Sequence, residues 1–550
     1  MQRSKSYKEI GTLGHIDVKM EEPLIKKLPL GTSSFLALRD ADQIYVDKSE
    51  YIYQLASERA KFFLARPRRF GKSLLISTFE ALFKNGIRDF KGLAIEKKWK
   101  DDKKYTVVRL DFSETRDFGE TGEFSLKLTS LLARKFRLAG FSYQVDSVFS
   151  VTEQLSNWLK TQPANQLVIL IDEYDAPLTV CLDNADKFEY VSRKLTEFYA
   201  VLKTNDRALR FLFITGITKF NKTCLFAELN DLTDISLSPE CDAFLGFTRG
   251  EVQKYFGAFL ESASQVLQKD KPKLVEELAE YYGGFCFEKT AKQTVFSPWS
   301  LLKFFSSPDR GFKDYWFESG GHPSVLLKHL QSSSLRNPEE YGKDKTLPLD
   351  ILNNSTELNA LTDVALLTQT GYLTIKTIEY GTSVLVGYPN KEVRTAMAQL
   401  YMEQLLGGRV AGQVGAGPIG QVLSEDGPES LFHILNRLFL SIDYHRFPVR
   451  DEFSVRAFVQ IYFAAAGLDP IMERHNSHGR SNLEVGAGNR HWILEFKTSH
   501  RTNDLKIKLA EEVRKVEGRR FREEAFGREK ICVALVYSLD KREFVLWKEC

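Results

Sequence analysis

The sequence predicts an α/β protein that begins with a parallel sheet and ends with a smaller α/β unit. Four apolar runs of strand length alternate with helical stretches between residues 26 and 240, and they lie at 62–65, 107–112, 167–171 and 210–216. Runs without polar alternation are typical of parallel strands that are covered on both faces. Gly71-Lys72-Ser73 follows the first run and Asp172-Glu173 ends the third. The carboxyl edge of this sheet is therefore the candidate site.

The segment after the first run has the pattern of a phosphate cradle. Apolar residues at helical spacing follow Gly71-Lys72-Ser73, so a strand, a loop and a helix succeed one another. Loop N–H groups and the positive end of a helix dipole face an anion in such an arrangement. Lys72 would then reach the β- and γ-phosphates, and the Ser73 hydroxyl would ligate Mg²⁺.

The loop departs from the usual G-x-x-x-x-G-K-[ST] pattern, because Arg66 stands at the first glycine. Together with Arg68 and Arg69 it makes the loop strongly basic. Three arginines fit a polyphosphate site, but they fit a nucleic-acid backbone equally well. A basic surface turn before a core helix is a further explanation. The loop alone leaves these alternatives open.

A second motif favours ATP. Residues 167–177, LVILIDEYDAP, run from an apolar strand into Asp172 and Glu173. In P-loop enzymes such an Asp holds Mg²⁺, and a neighbouring Glu polarises the attacking water. Thr215, at the end of the fourth run, either contacts the γ-phosphate or the water, or is simply a β-former. The predicted nucleotide-site residues are Arg66, Arg68, Arg69, Gly71, Lys72, Ser73, Asp172 and Thr215, with Glu173 as the catalytic carboxylate.

Length and composition set broader limits. At 550 residues the chain exceeds one hydrophobic core, so several domains are expected. The net charge is only +3, so contact with nucleic acid would have to come from local clusters. No apolar run approaches a membrane span, and the N-terminus lacks the apolar core of a secretory signal. Six cysteines without C-x-x-C spacing indicate reduced thiols and a cytoplasmic location.

Several longer motifs identify a family resemblance. The segments RPRRFGKSL, LIDEYDAP, FITGITKF and LNDLTDISL resemble the AAA-ATPase-like family, in which the loop reads RPRRFGKS. Arg66 is thus a trait of that family. The likeness continues through YYGGFCF, QTGYLTI and VGYPNKEVR and covers nearly the whole chain. It implies a P-loop NTPase sheet with a helical lid, and ATP and Mg²⁺ as cofactors.

The middle of the chain is predicted to be mostly helical. Thr248 and Glu251 have the spacing of a capping box. Four aromatic residues in apolar stretches are predicted to be core and not base-stacking platforms; they are Tyr282, Phe285, Trp299 and Trp316. The predicted units are a tail (1–25), a P-loop domain (26–240), a helical lid and connecting region (241–400), a Gly-rich flexible linker (401–425) and a second α/β domain (426–550).

The last unit contains a predicted hairpin with charged residues. Period-two alternation places Asn482 and Glu484 on one face of its first strand, and Glu495 and Lys497 on one face of its second. Charges on an otherwise apolar hairpin are costly to bury and therefore informative. The turn between the strands is predicted at Gly486-Ala487-Gly488-Asn489-Arg490.

This hairpin resembles the PD-(D/E)XK nuclease fold that the AAA-ATPase-like family often carries at its C-terminus. The resemblance implies that Glu495 is a metal ligand, Lys497 the catalytic lysine and Glu473 the upstream helix carboxylate. Asn482 stands where the family has Asp, and Glu484 on the same face is a possible substitute. The predicted metal set is Glu473, Asn482, Glu484 and Glu495, beside Ser73 and Asp172 at the nucleotide. An active nuclease and an inactive relic that only binds both remain open.

The whole chain is therefore predicted to bind and hydrolyse ATP and to couple this to a nuclease-like domain that acts on DNA or RNA. The alternative is a nucleotide-gated switch or scaffold whose nuclease-like domain only binds. A basic run at positions 514, 515, 519, 520 and 522 suits a phosphate backbone, although a solvated helix face explains it nearly as well. The sequence specifies no oligomeric state, and no membrane contact is expected.

Overall fold

The computed structural model describes most of the chain. The described residues are 26–219, 228–229, 231–317, 341–353, 363–472, 475–476, 479–480, 482–500, 507, 509–510, 513 and 528–549.

The N-terminal domain is built on a parallel five-stranded sheet, which confirms the predicted fold class. Its strands are β1 (Ala60–Ala65), β2 (Thr106–Asp111), β3 (Leu167–Asp172), β4 (Leu209–Gly216) and β5 (Thr233–Asp234), in the order β2-β3-β4-β1-β5. The first four correspond to the predicted apolar runs, whereas the sequence did not predict β5. Every residue of β3 and β4 is buried, so both faces of the sheet are covered at its centre.

Helices of this domain connect and cover the strands. They are α1 (Phe35–Asp40), α2 (Ser49–Ala56), α3 (Lys72–Asn85), α4 (Thr121–Arg137), α5 (Val151–Lys160), α6 (Ala176–Thr179) and α7 (Ala185–Thr204). α3 follows β1 directly and buries Leu75, Phe79 and Leu82. These residues lie on one helical face, as their spacing predicted.

A helical block follows, as expected for the region after the sheet. It consists of α8 (Arg249–Tyr255), α9 (Gly257–Leu267), α10 (Lys271–Tyr282) and α11 (Pro298–Ser306). Thr248 and Glu251 form the predicted capping box. Tyr282 and Phe285 are fully buried, which confirms them as core, and Trp299 and Trp316 are half-buried.

A small antiparallel sheet and a long helix lead to the C-terminal domain. The strands β6 (Lys345–Pro348), β7 (Thr374–Glu379) and β8 (Ser383–Gly387) pair in the order β6-β8-β7. The helices are α12 (Leu349–Asn353), α13 (Asp363–Gln369) and α14 (Lys391–Leu405).

The Gly-rich stretch differs from the flexible linker that the sequence predicted. α14 extends to Leu405, and a further helix, α15, spans Ile419–Glu425. Ala416 and Ile419 are fully buried, and the Tyr462 hydroxyl donates to the Ala416 carbonyl at 2.5 Å. Its glycines serve tight turns: φ is +62° at Gly407, +87° at Gly408 and +73° at Gly415. Residues 401–425 are therefore a packed connection.

In the described part of the C-terminal domain, helices α16 (Pro428–Leu440) and α17 (Glu452–Ala465) lie beside a mixed sheet. The strands are β9 (Ile471–Met472), β10 (His475–Asn476), β11 (Gly479–Arg480), β12 (Leu483–Ala487), β13 (Arg490–Ser499), β14 (Glu529–Ser538) and β15 (Glu543–Glu549). The main sheet has the order β15-β14-β13-β12-β9, and β13 and β14 are parallel.

The predicted hairpin is confirmed as β12–β13. Its turn is tighter than predicted, since Ala487 already pairs with Arg490 and only Gly488 and Asn489 connect the strands. Across the whole described part of the chain, no helix has both the length and the apolar character that a membrane span requires.

Candidate nucleotide site and nuclease-like centre

The loop between β1 and α3 ends at a glycine whose backbone conformation other residues rarely adopt. Gly71 is the N-cap of α3 and has φ +97°. A Cβ at this position would find Leu245 Cδ2 at 3.9 Å, so space is not the constraint. The constraint is the left-handed backbone conformation, which glycine adopts without the strain that other residues incur. The loop can therefore turn sharply into the helix, with Lys72 and Ser73 at the first two helical positions.

Lys72 lies almost wholly inside the protein, with 6% of its surface exposed. Its Nζ donates to the carbonyl oxygens of Arg66 and Pro67, each at 2.9 Å. Burial lowers the pKa of this amine, and the carboxylates of Asp172 and Glu173 oppose that shift. The loop thus holds a cation against its own carbonyls, within the field of the acidic pair at the end of β3.

Arg66 points into the protein. Its guanidinium donates to the carbonyl oxygens of Ser236 at 2.6 Å and Cys241 at 3.1 Å. It also lies 4.6 Å from the centroid of the Phe287 ring. Burial lowers the pKa of Arg66 to about 10. Arg66 therefore stabilises the loop from its buried side. This accounts for an arginine at the position where the usual P-loop pattern has its first glycine.

The other two loop arginines reach the surface. Arg68 and Arg69 are exposed. The Arg69 guanidinium lies 4.7 Å from the ring centroid of Trp299, at the start of α11, so it bridges the loop and the helical block. Of the three predicted arginines, these two are placed to meet a ligand from solvent.

Asp172 is fixed at the end of β3. Its Oδ1 accepts a hydrogen bond from the Thr215 hydroxyl at 2.8 Å and from the Glu173 N–H at 3.1 Å. Its Oδ2 lies 4.0 Å from Nη2 of Arg109. Thr215 is fully buried and orients this carboxylate, a positioning role that neither sequence interpretation of Thr215 anticipated.

Glu173 has φ +48°, in the left-handed region that non-glycine residues seldom occupy. Burial raises the pKa of its carboxyl, and neighbouring Asp175 and Asp172 raise it further, while Lys72 lowers it. A carboxyl whose pKa is raised towards neutrality is suited to accept a proton.

Asp175 is a site residue that the sequence interpretation did not single out. Its Oδ2 accepts from the N–H groups of Ile217 at 3.1 Å and Thr218 at 2.8 Å, and from the Thr218 hydroxyl at 2.5 Å. Asp175 thereby ties the end of β3 to the segment after β4. The available signal was the third carboxylate of the IDEYDAP motif.

Lys219 lies beyond the end of β4 and forms an ion pair with Asp234 of β5, with Nζ and Oδ2 2.9 Å apart. This ion pair connects β5, the strand that the sequence did not predict, to the segment that follows β4.

In the C-terminal domain the hairpin places its charged residues on one face. Glu484 pairs with Ile493 in the β12–β13 register, which puts Glu484, Glu495 and Lys497 on the same side. The Asn482 N–H donates to Glu495 Oε1 at 3.3 Å. Glu484 Oε2 lies 3.0 Å from His491 Nε2. Both glutamates are almost fully buried.

The first turns of α17 lie over this face and add two residues that the sequence interpretation missed. Lys497 Nζ donates to Glu452 Oε2 at 2.8 Å, and Arg456 Nη1 donates to Asn482 Oδ1 at 3.2 Å. Their signal was the four-residue spacing of Glu452 and Arg456, which places both on one face of a helix. Glu473 lies outside the described residues, and Ile471–Met472 before it form the strand β9.

Comparison with known proteins finds a family match for each of the two domains. Residues 29–226 match the family described as predicted AAA-ATPase (AAA-ATPase-like), and residues 450–549 match the PD-(D/E)XK nuclease superfamily. The chain carries an AAA-ATPase-like domain and a PD-(D/E)XK nuclease-superfamily domain. A protein of Azotobacter chroococcum mcd 1, described as uncharacterized in the vnfD 5' region, is 29% identical over 482 residues, which cover 86% of this chain and 89% of that relative.

The two domains differ in how well they suit a metal ion. In the AAA-ATPase-like domain, Ser73 and Asp172 are hard oxygen ligands at the edge where phosphates would supply the remaining donors. In the nuclease-like domain, the Asn482 oxygen accepts a hydrogen bond from the positively charged guanidinium of Arg456. Within the described ranges, no three or more His, Cys, Asp or Glu side chains are grouped to hold a metal ion. Among the described side chains of the nuclease-like centre, the Asn482 oxygen is therefore occupied by a cationic donor, which does not suit a divalent metal.

Proposed function

We propose that the AAA-ATPase-like domain binds and hydrolyses ATP and that this activity is coupled to the nuclease-like domain, which contacts nucleic acid. The observation that carries the proposal is the placement of Lys72, buried at the start of α3 and within the field of Asp172 and Glu173. A buried lysine at a helix N-terminus is suited to a polyphosphate, because the phosphate charge replaces the solvation that the amine has lost.

Each residue of the site has a distinct role in this proposal. Lys72 exchanges its loop carbonyls for the terminal phosphates, and Arg68 and Arg69 approach the phosphates from the solvent side. Arg66 and Gly71 maintain the loop. Glu173 accepts the proton of the attacking water, and Thr215 positions Asp172.

Mg²⁺ belongs to the proposed ATP complex. When bound, it would offset phosphate charge, with Ser73 and Asp172 as its protein ligands. We also propose a cytoplasmic location, for which the scattered thiols of the sequence are the support.

A second candidate function is a nucleotide-gated switch whose nuclease-like domain binds without cleaving. The Arg456–Asn482 contact favours it, because a cation stands at the oxygen that a metal would need. Incubation of the purified protein with single- and double-stranded DNA and RNA in Mg²⁺ separates the two. Cleavage that Glu495→Gln abolishes supports the nuclease, and retention of intact nucleic acid supports the switch.

The ATP proposal is tested by Lys72→Ala. We expect ATP affinity or hydrolysis to fall at least about tenfold, equivalent to about 1.4 kcal/mol, because the variant loses the cation at the terminal phosphates. Isothermal titration with a non-hydrolysable analogue and steady-state phosphate release measure the two quantities. Lys84→Ala is the matched control, since Lys84 is exposed in the last turn of the same helix. Unchanged binding and turnover in a folded Lys72→Ala protein would exclude the assignment.

A further inference from the structure

The charged face of the β12–β13 hairpin is internally paired. Arg456 contacts the Asn482 side chain at 3.2 Å, and Lys497 contacts Glu452 at 2.8 Å. Both partners come from one face of α17, so two polar contacts connect this helix to the hairpin. Glu484 in turn contacts His491 at 3.0 Å.

This pairing has a consequence for cations. Asn482 contributes a neutral amide oxygen, so this position brings no negative charge to the centre. Arg456 then adds a fixed positive charge at the same oxygen. A divalent ion bound there would meet a guanidinium about 3 Å from its own ligand, in a half-buried setting where water screens the repulsion only in part. The neutral amide of Asn482 and the positive charge of Arg456 act in the same direction.

We propose that Arg456 is the resident cation of the nuclease-like centre and that it excludes Mg²⁺ from it. The guanidinium takes the position in which a metal would be required, and the Arg456–Asn482 contact replaces a metal–carboxylate bond. The domain then acts by binding and not by metal-dependent cleavage. This inference deepens the second candidate function, and it does not depend on ATP hydrolysis.

A single substitution should not restore a metal site at this centre. Asn482→Asp alone places a carboxylate against Arg456, and the two form an ion pair instead of a metal site. Only removal of the arginine together with restoration of the carboxylate frees the oxygens for a metal. Replacement of Asn482 by Asp is thus only one of the two changes that a metal site would need here.

The test is Mn²⁺ binding to full-length protein without nucleotide, measured by the loss of the free-Mn²⁺ electron paramagnetic resonance signal. The part of the total Mn²⁺ binding that Glu495→Gln abolishes is assigned to the nuclease-like centre. We expect no Glu495-dependent binding over the accessible Mn²⁺ range in the wild type or in Asn482→Asp, and Glu495-dependent binding at least about tenfold tighter than the weakest affinity detectable in that range in Asn482→Asp/Arg456→Gln. Asn482→Asp/Arg446→Gln removes an exposed arginine of the same domain and should behave as Asn482→Asp does.

Two results would overturn the proposal. One is Glu495-dependent Mn²⁺ binding in the wild type or in Asn482→Asp. The other is a folded double variant, judged by circular dichroism, that binds no tighter than either single variant. Arg456→Met in the Asn482→Asp background is a second version of the double variant, because its side chain keeps contact with the Phe453 ring over which Arg456 lies. Either failure leaves the ATPase proposal untouched, since no nucleotide is present.

Discussion

Glu173 shows how one residue's surroundings set its chemistry. Its carboxyl is largely removed from solvent, and burial raises its pKa above 4.5, the ordinary value for glutamate. A general base acts in its ionised form, so a raised pKa moves the acid limb of the rate profile to higher pH. We therefore expect kcat for ATP hydrolysis to fall on acidification. The midpoint of this fall should lie at a pH above the pKa of an ordinary glutamate. The pH profile of kcat measures this limb.

Variants of the acidic pair separate the two roles. Glu173→Gln should bind ATP normally and hydrolyse it at least about a hundredfold more slowly, because only proton transfer is lost. Asp172→Asn should instead weaken Mg²⁺-dependent ATP binding, since it removes a charge beside the metal. Wild-type hydrolysis rates in both variants would show that these roles are wrongly assigned.

The sequence predicted which of these residues meet, but not how their side chains point. The proximity of Lys72 and Asp172 could be predicted, because the carboxyl ends of parallel strands lie at one edge of the sheet. The inward direction of Arg66 depends on carbonyls of Ser236 and Cys241, which are remote in sequence. Thr215 likewise acquires its role only from the adjacent strand. Side-chain direction is a tertiary property that a local pattern does not contain.

At the scale of elements, the loop between β1 and α3 is stabilised mainly by Arg66. Removing its guanidinium takes the 2.6 Å donor from the buried Ser236 carbonyl and one of two donors from the Cys241 carbonyl, which together costs about 2–3 kcal/mol. We expect Arg66→Met to lower the free energy of unfolding by that amount in urea titrations without nucleotide. Arg68→Met is the matched control in the same loop. Because Arg68 is exposed, its replacement should change stability by no more than about 0.5 kcal/mol.

Equal stability of the Arg66 and Arg68 variants would contradict this account of the loop. It would mean that the Phe70 contacts with Phe285 and Phe287, whose ring centroids both lie 5.0 Å away, hold the loop without the arginine.

Prediction of elements succeeded where a segment's own pattern is sufficient. β1 to β4 are continuous apolar runs, and the β12–β13 hairpin alternates around a glycine turn. β5 is only two residues long and pairs through contacts with β1, so no local pattern marks it. The Gly-rich stretch misled because glycine serves flexible linkers and tight turns alike. Burial of Ala416 under Tyr462 decides between them, and that contact is tertiary.

At the scale of the whole molecule, α14 connects the helical block to the C-terminal domain. At its N-terminus, the Asn390 side-chain amide donates to the Gly283 carbonyl at 2.7 Å, and Glu392 Oε1 accepts from the Tyr315 N–H at 2.8 Å. Farther along, Arg394 pairs with Asp469, which follows α17. One continuous hydrophobic cluster contains residues of the parallel sheet and of the C-terminal domain.

The nucleotide loop also contacts this connecting region. A Cβ at Gly371 would lie 2.8 Å from Pro67 Cβ, so the turn after α13 packs directly on the loop. The Lys219 N–H donates to Gln369 Oε1 of the same helix at 2.9 Å. The end of α13 and the turn after it therefore contact two segments that border the nucleotide site, and β7 continues from the turn.

Shared packing of this kind predicts that the two domains unfold as one unit. A ligand that binds only the folded state stabilises everything that unfolds with its site, by about 2.7 kcal/mol at a concentration of 100 Kd. An ATP analogue with Mg²⁺ at that concentration should then slow amide exchange in β13 as much as in β3, when exchange is followed by mass spectrometry in moderate urea. Lys72→Ala should abolish both effects, because the ligand no longer binds. Protection confined to β3 would instead mean that the two domains unfold separately. The packing around α14 would then not extend the stabilisation by the ligand to the C-terminal domain.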